Sequence, residues 1–356
     1  MRRISLTVNP EVCTGVLHPD NGASYLVDTI IGRLWWDIAE TGGADLLVEA
    51  PGYHSHRTRA LLPEGSNELP WGEPGQEQAI PLDLAPIVAP SLQRVSKAGL
   101  HFYTADGQRF VWKGISSFLL YKRWLDGEDI SSLTENYVVV GANLVRVFGM
   151  VPYQPIFDVA QYSAYYKRLP EFARWLAGHG LYLEFTTFAG RQDFTIDEQF
   201  HFRACCDQLR NEPNVFIELC NEYSKNGIDP RTFTKPAGLL ASAGSEIGDT
   251  APAVFWDFFG WHGRRDWAKL ANLDDMLATC QAHGVVGIHD EPIGFADFEW
   301  PGRRTTSRLA AQSIASEGAR LGDGATFHCE SGLRSLPLGA LEHVCAREFF
   351  KALEVK

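Results

Sequence analysis

Eight apolar runs of strand length predict a repeated strand and helix unit from about residue 100 to the end of the chain. β-branched and aromatic residues dominate runs such as 214–222, where the 3.6-residue period of a helix is absent. The predicted strands are 110–117, 142–149, 181–188, 214–222, 238–244, 253–261, 285–291 and 324–330. Amphipathic helices are expected between them, including one that starts near Pro170 with Phe172, Trp175 and Leu176 on its apolar stripe.

Glycines divide these units at the points where a helix ends and the next strand begins. Gly141, Gly180 and Gly284 each follow a helical pattern, and glycine readily adopts the left-handed conformation that ends a helix. Strands that alternate with helices favour a parallel sheet, and eight of them favour a closed (β/α)8 barrel. A doubly wound open sheet is the alternative, but no glycine-rich nucleotide-binding turn follows the first strand. Only about eight residues, 246–253, connect the fifth and sixth strands, so we expect the barrel to be trimmed there.

The first 95 residues have a different pattern. Short β-rich runs such as 33–38 and 45–49 alternate with turn clusters, and none has helical periodicity. Regular strand and turn spacing favours a small antiparallel β-sandwich. The sequence therefore predicts two domains, a sandwich over 1–95 and a barrel over 96–356.

Composition narrows the class of protein. The 356 residues are 45% hydrophobic, enough for a large core, and the net charge of −12 argues against nucleic-acid or anionic-membrane partners. No apolar run approaches the roughly 20 residues of a membrane span. No signal peptide is recognisable after Met1, so we expect a cytoplasmic, released or virion-associated protein. The seven cysteines, without a CxxC pair, are expected to be buried free thiols.

Two of the predicted strands end in a glutamate. The run 214–222 ends in Asn221 and Glu222, and the run 285–291 ends in Glu291. Parallel strands of a barrel present their carboxyl ends at one face, where active sites lie. Paired carboxylates at that face are the minimal equipment for cleaving a glycosidic bond. Glu218, further down the same strand as Glu222, is expected to be an internal partner of Arg146.

These motifs, together with Phe110 to Ile115 as first strand and Arg146 on the second, resemble the retaining cellulase-like clan of glycoside hydrolases, family five among them. The resemblance covers about residues 100–350, and it implies that Glu222 is the acid/base and Glu291 the nucleophile. It also implies that Asn221 binds the sugar 2-hydroxyl. The N-terminal segment resembles carboxypeptidase-regulatory-like or immunoglobulin-like modules.

Further polar and aromatic residues are candidates for substrate contact. Arg146 and His262 would keep the nucleophile ionised, and Trp261 and Trp300 are candidate sugar-stacking residues. On the eighth strand, Glu330 is a rival nucleophile, and it stands where the clan often has a tryptophan. A metal site built from histidines is the less favoured alternative. Its candidate ligands are His262, His289 and His328, but the first strand lacks the expected His-x-His, so no metal or cofactor is expected.

The sequence therefore predicts a glycoside hydrolase that cleaves a β-linked oligo- or polysaccharide with retention of configuration. The acid needs burial and a neighbouring carboxylate to raise its pKa, whereas the nucleophile must stay ionised. A catalytically silent glycan-binding or structural module, for example in a virion, is one alternative. A metal-dependent hydrolase is the other. The glycan, endo or exo action and oligomeric state stay open.

Overall fold

The protein divides into two compact units, Met1–Ala89 and Pro90–Lys356, in a computed structural model. The structure describes residues 92–152, 156–190, 196–245, 252–262, 273–291 and 322–354, and the backbone of seven strands before residue 90.

The strands of the first unit form two sheets. They are β1 (Arg2–Asn9), β2 (Thr14–Pro19), β3 (Tyr25–Asp28), β4 (Arg33–Ile38), β5 (Gly42–Glu49), β6 (His56–Leu62) and β7 (Leu82–Asp83). One sheet has the order β4-β1-β7 and the other the order β3-β2-β5-β6. All neighbours are antiparallel except β1 and β7, which are parallel. The described part of this unit is all-β, and the packing of its sheets into a sandwich stays a prediction.

The second unit begins with a hairpin of β8 (Ser96–Ala98) and β9 (His101–Tyr103). Phe102 of this hairpin is fully buried against Trp112, Phe216 and Phe258, with ring centroids 5.4 to 6.2 Å apart. These rings belong to an apolar cluster with Leu144, Val286 and other strand residues. The hairpin thus contributes to the apolar packing among the amino-terminal parts of the strands that follow.

Eight parallel strands form the main sheet of this unit. They are β10 (Trp112–Ser116), β11 (Leu144–Phe148), β12 (Tyr182–Phe188), β13 (Val215–Cys220), β14 (Leu240–Ser242), β15 (Phe258–His262), β16 (Val286–Glu291) and β17 (Gly322–Phe327). Their order is β14-β13-β12-β11-β10-β17-β16-β15, so β10 pairs with β17 and the sheet closes almost completely. The predicted (β/α)8 barrel and its eight strands are confirmed.

Among the described residues, no strand ladder joins β14 to β15, the fifth and sixth strands. The amide of Asp257 donates to the Ala241 carbonyl at 2.9 Å, and the Ala241 amide donates to Asp257 Oδ2 at 3.1 Å. These two bonds tie the strands together just before β15 begins. The described residues of this connection, 243–245 and 252–257, contain no helix, and most of the segment 246–253, for which a trimmed barrel was predicted, lies outside the described residues.

Helices follow most of the strands. The α-helices in the described part of this unit are α1 (Leu120–Leu125), α2 (Ser131–Val139), α3 (Tyr165–Gly178), α4 (Glu198–Leu209), α5 (Leu273–His283), α6 (Glu330–Leu333) and α7 (Ala340–Glu354). Helix α3 begins five residues before Pro170, so the expectation that this proline marks a helix start was wrong. Buried Tyr165 and Leu169 extend the apolar face backwards, and their burial offsets the hydrogen bond that a proline inside a helix removes.

None of the described helices is long and apolar enough to span a membrane. Six of the seven cysteines are buried free thiols, as expected, and Cys13 lies outside the described residues. Burial raises the pKa of thiols such as Cys206, to about 12.

Candidate active site

Glu222 lies just beyond the carboxyl end of β13, in a left-handed backbone conformation with φ of 44°. That conformation costs a non-glycine residue about 1–3 kcal/mol and persists only where the surrounding structure enforces it. Two hydrogen bonds do so. The Glu222 amide donates to Ser245 Oγ at 3.0 Å, and the Asn226 amide donates to the Glu222 carbonyl at 3.1 Å. The strain is thus concentrated at the residue that the sequence singled out.

The Glu222 carboxylate has a cation on one side and an imidazole on the other. Lys225 Nζ donates to Glu222 Oε2 at 2.6 Å, and His262 Nδ1 lies 3.8 Å from Glu222 Oε1. Glu222 is 8% exposed, whereas the Lys225 side chain is 59% exposed. The carboxylate is therefore shielded from solvent, whereas its lysine partner faces solvent.

Arg146 of β11 orients Asn221, the residue before Glu222. Its Nη2 donates to Asn221 Oδ1 at 3.1 Å and to Glu218 Oε2 at 2.7 Å. Because a guanidinium can only donate, the Asn221 oxygen must face Arg146, and its Nδ2 group remains a donor. The predicted pairing of Glu218 with Arg146 is confirmed.

Three buried carboxylates share this one guanidinium inside the barrel. Arg146 Nε lies 2.9 Å from Asp290 Oδ2 and 3.7 Å from Glu184 Oε2, in addition to its contact with Glu218. All four side chains are at most 1% exposed. Thr186 also donates to Glu218 Oε2 at 2.6 Å. With all three carboxyl groups ionised, this cluster of four side chains would carry a net negative charge.

A β-bulge lies at the end of β16. Trp261 pairs with His289 and His262 pairs with Glu291, so Asp290 is the extra residue on β16. Bulges of this kind occur beside active sites and re-aim side chains. The backbone thus brings Glu291 into register with His262, whose imidazole lies beside Glu222. The Glu291 side chain is not among the described ones, so the expected contact between Arg146 and the nucleophile stays a prediction. The polar groups described beside Arg146 include those of Glu184, Glu218, Asp290 and Asn221.

Asp290 can reach Arg146 because Gly260 faces it from β15. A Cβ atom added to Gly260 would lie 2.9 Å from Asp290 Oδ2, closer than such contacts normally are. The absence of a side chain at position 260 therefore leaves room for the carboxylate.

Trp261 and His289 lie on the other face of their strands from the charged side chains around Arg146. Their rings stack with centroids 4.6 Å apart, and Trp261 packs in an apolar cluster with Phe259, Cys280 and Val285. Burial and the neighbouring His262 lower the pKa of His289 to about 3. Trp261 is only 4% exposed, so this placement gives no support to the expected sugar stacking.

The remaining candidates lie near β17 or outside the described residues. His328 follows β17 and shares a 3.0 Å hydrogen bond with Ser116 Oγ, at the end of β10. Glu330 begins α6, and its side chain is not among the described ones. Trp300 lies outside the described residues altogether.

The residues that could gather around a metal ion differ from the three histidines considered above. Among the described residues, ligand atoms of Glu218, His262 and Asp290 lie within 4.8 Å of one another. The guanidinium of Arg146 contacts both of these carboxylates, so it already supplies the positive charge that a cation would bring. This arrangement fits an ion-paired network better than a metal centre.

Sequence reasoning missed Lys225, Asp290 and Ser245. Asp290 stands directly before Glu291, and Lys225 comes three residues after Glu222. A search for charged residues close in sequence to the two glutamates would have found both. Ser245 carries no such signal, because its contact depends on the turn that follows β14.

No protein-family model matches this chain, and no curated protein matches its sequence. Solved structures show the same (β/α)8 barrel fold. One is a Bacteroides vulgatus protein with a provisional glycoside hydrolase assignment. It is 13% identical at a TM-score of 0.50, over 92% of this chain and 70% of that one. Another is a β-glucanase from Saccharophagus degradans, 14% identical at a TM-score of 0.50, over 79% of this chain and 98% of that one.

Proposed function

We propose that this protein is a glycoside hydrolase that cleaves a β-linked oligo- or polysaccharide with retention of configuration. The observation that carries the proposal is the setting of Glu222. It is a shielded carboxyl in an enforced left-handed conformation at the carboxyl end of a barrel strand, where (β/α)8 enzymes have their active sites. The β-glucanase of the same fold agrees with a β-glycan substrate.

Glu222 is the acid/base in this proposal and Glu291 the nucleophile. Glu222 protonates the leaving oxygen while Glu291 attacks the anomeric carbon, which gives a covalent glycosyl-enzyme. Water activated by the Glu222 carboxylate then releases the sugar and restores both groups. The register between Glu291 and His262, and the 3.8 Å from His262 to Glu222, support a site that holds both glutamates.

Asn221 and Arg146 act together in substrate binding. The amide Nδ2 of Asn221, oriented by Arg146, would donate to a sugar hydroxyl near the reacting carbon. A hydrogen bond that strengthens as charge develops in the transition state accelerates the reaction. His328 and Glu330 stay candidates for substrate contact from β17.

The test is a screen of polysaccharides and aryl glycosides with the wild type, Glu222→Gln and Glu291→Gln. Each variant is expected to lose about 10²–10⁴-fold or more in kcat/KM. Glu212→Gln is the matched control. Glu212 is similarly buried and ion-paired with Arg174, but it precedes β13 at the opposite end of the strand.

Product stereochemistry tests the mechanism separately. NMR of the first-formed product should show the anomeric configuration of the substrate, since a double displacement retains it. Inversion would remove the nucleophile role from Glu291. Tight glycan binding without products would instead support a catalytically silent module, and activity lost to a chelator would support a metal-dependent hydrolase.

A further inference from the structure

Lys225 is placed by the same turn that holds Glu222. The Asn226 amide bonds to the Glu222 carbonyl at 3.1 Å, and Asn226 Nδ2 bonds to the Asn221 carbonyl at 2.5 Å. These bonds fix the backbone on both sides of Lys225. Its side chain then needs only to extend along the turn for the ammonium to reach Glu222 Oε2 at 2.6 Å.

The charges around Glu222 act on its proton in different directions. The Lys225 ammonium is in direct contact and favours the carboxylate. His262 faces Glu222 from β15, and an imidazolium there would act in the same sense. The carboxylates of Glu218 and Asp290 lie close to His262 and favour the protonated acid, although Arg146 is bound to both of them.

We propose that Lys225 is a positioning residue whose ammonium stabilises the Glu222 carboxylate relative to the protonated acid and so sets the upper pH limit at which Glu222 can act as an acid. This inference rests on the proposed function, because it assigns Lys225 a role in the two steps of that reaction. An ammonium beside the carboxyl group lowers the fraction of Glu222 that is protonated at the start of the first step. It supports the carboxylate that activates water in the second step.

The physical consequence is a shift in the alkaline limb of the pH profile. Loss of the cation raises the pKa of Glu222, so the acid stays protonated to higher pH. For a carboxyl group at this distance from a solvent-exposed ammonium the shift is about 0.5–1 pH unit. Because Lys225 is exposed, salt screens its effect. In the wild type, the apparent pKa of the alkaline limb should therefore increase between 0.01 and 0.5 M salt. It should approach the value of a variant that lacks the cation.

The experiment compares the pH profile of kcat/KM for the wild type, Lys225→Met and Lys225→Arg. The apparent pKa of the alkaline limb should be about 0.5–1 unit higher in the Met variant than in the wild type, and unchanged in the Arg variant. Lys122→Met is the matched control, because it removes a 2.6 Å ion pair between Lys122 of α1 and Asp126, the residue that follows this helix. An unchanged limb in the Met variant, or an equal shift in the Arg or Lys122 variant, would overturn the proposal.

A second measurement does not depend on activity. Selective ¹³C labelling of glutamate carboxyl groups, with Glu222→Gln to assign the signal, gives the pKa of Glu222 directly. That pKa should be about 0.5–1 unit higher in Lys225→Met than in the wild type. If no glycan is hydrolysed, the proposed function fails, yet this titration still decides whether Lys225 controls the proton of Glu222. Equal values in both proteins would contradict such control.

Discussion

Arg146 donates from Nη2 to Glu218 Oε2 at 2.7 Å, across the inside of the barrel from β11 to β13. Neither side chain has more than 1% of its surface exposed. The pair connects the buried carboxylates to Asn221, so one guanidinium both neutralises charge and orients a candidate substrate-binding amide. Its removal should therefore affect stability and activity together.

Replacement of Arg146 by Met should destabilise the barrel by about 3–5 kcal/mol, because it leaves buried carboxylates without their cation. Calorimetry is the suitable measurement, since it can separate the transitions of the two units. Glu184→Gln is the comparison, and it should cost less because Glu184 lies 3.7 Å from the guanidinium. A loss below about 1 kcal/mol for the Met variant would contradict the view that these carboxylates depend on Arg146 for their stability.

The left-handed conformation of Glu222 predicts an unusual order of stability among its variants. Glu222→Gly should be about 1 kcal/mol more stable than Glu222→Ala, because only glycine adopts φ of 44° without steric cost. At a position with negative φ, glycine would not be more stable than alanine for this reason. Urea unfolding of the two variants provides the comparison, and both should lack hydrolytic activity. The reverse order would show that the turn relaxes when the carboxylate is removed.

The limits of sequence reasoning differ between the fold and the site. The strands were predictable because each is an apolar run bounded by glycine or polar residues, and Glu222 was predictable because it ends such a run. The β-bulge that places Glu291 opposite His262 could not be predicted from the sequence, because it depends on how two strands pair. The same holds for Asp290, whose carboxylate enters the barrel only because Gly260 of the neighbouring strand leaves space.

A side chain at position 260 should therefore disturb the Arg146 network from β15. Gly260→Ala would bring a Cβ to 2.9 Å from Asp290 Oδ2 and push the carboxylate away from Arg146. We expect a loss of about 1–3 kcal/mol and lower activity. Gly178→Ala at the end of α3 is the control, because an added Cβ meets no atom within 4 Å there and alanine favours helix. Equal effects of the two substitutions would contradict this account.

His289 should make the barrel sensitive to acid. Its pKa falls from 6.5 to about 3 on folding, since burial and the adjacent His262 oppose the imidazolium. A depressed native pKa gives stability that is present above pH 6.5 and is lost as the pH falls toward 3, by up to about 1.4 kcal/mol per unit.

His289→Leu should remove this dependence. Relative to the wild type, its free energy of unfolding should rise by about 2 kcal/mol between pH 7.5 and pH 5, whatever the difference at pH 7.5. Denaturant titrations at several pH values measure this change. His201, whose burial lowers its pKa to about 4, remains in both proteins and cancels in the comparison. A difference that stays constant with pH would show that His289 binds a proton equally well in the folded and unfolded chain.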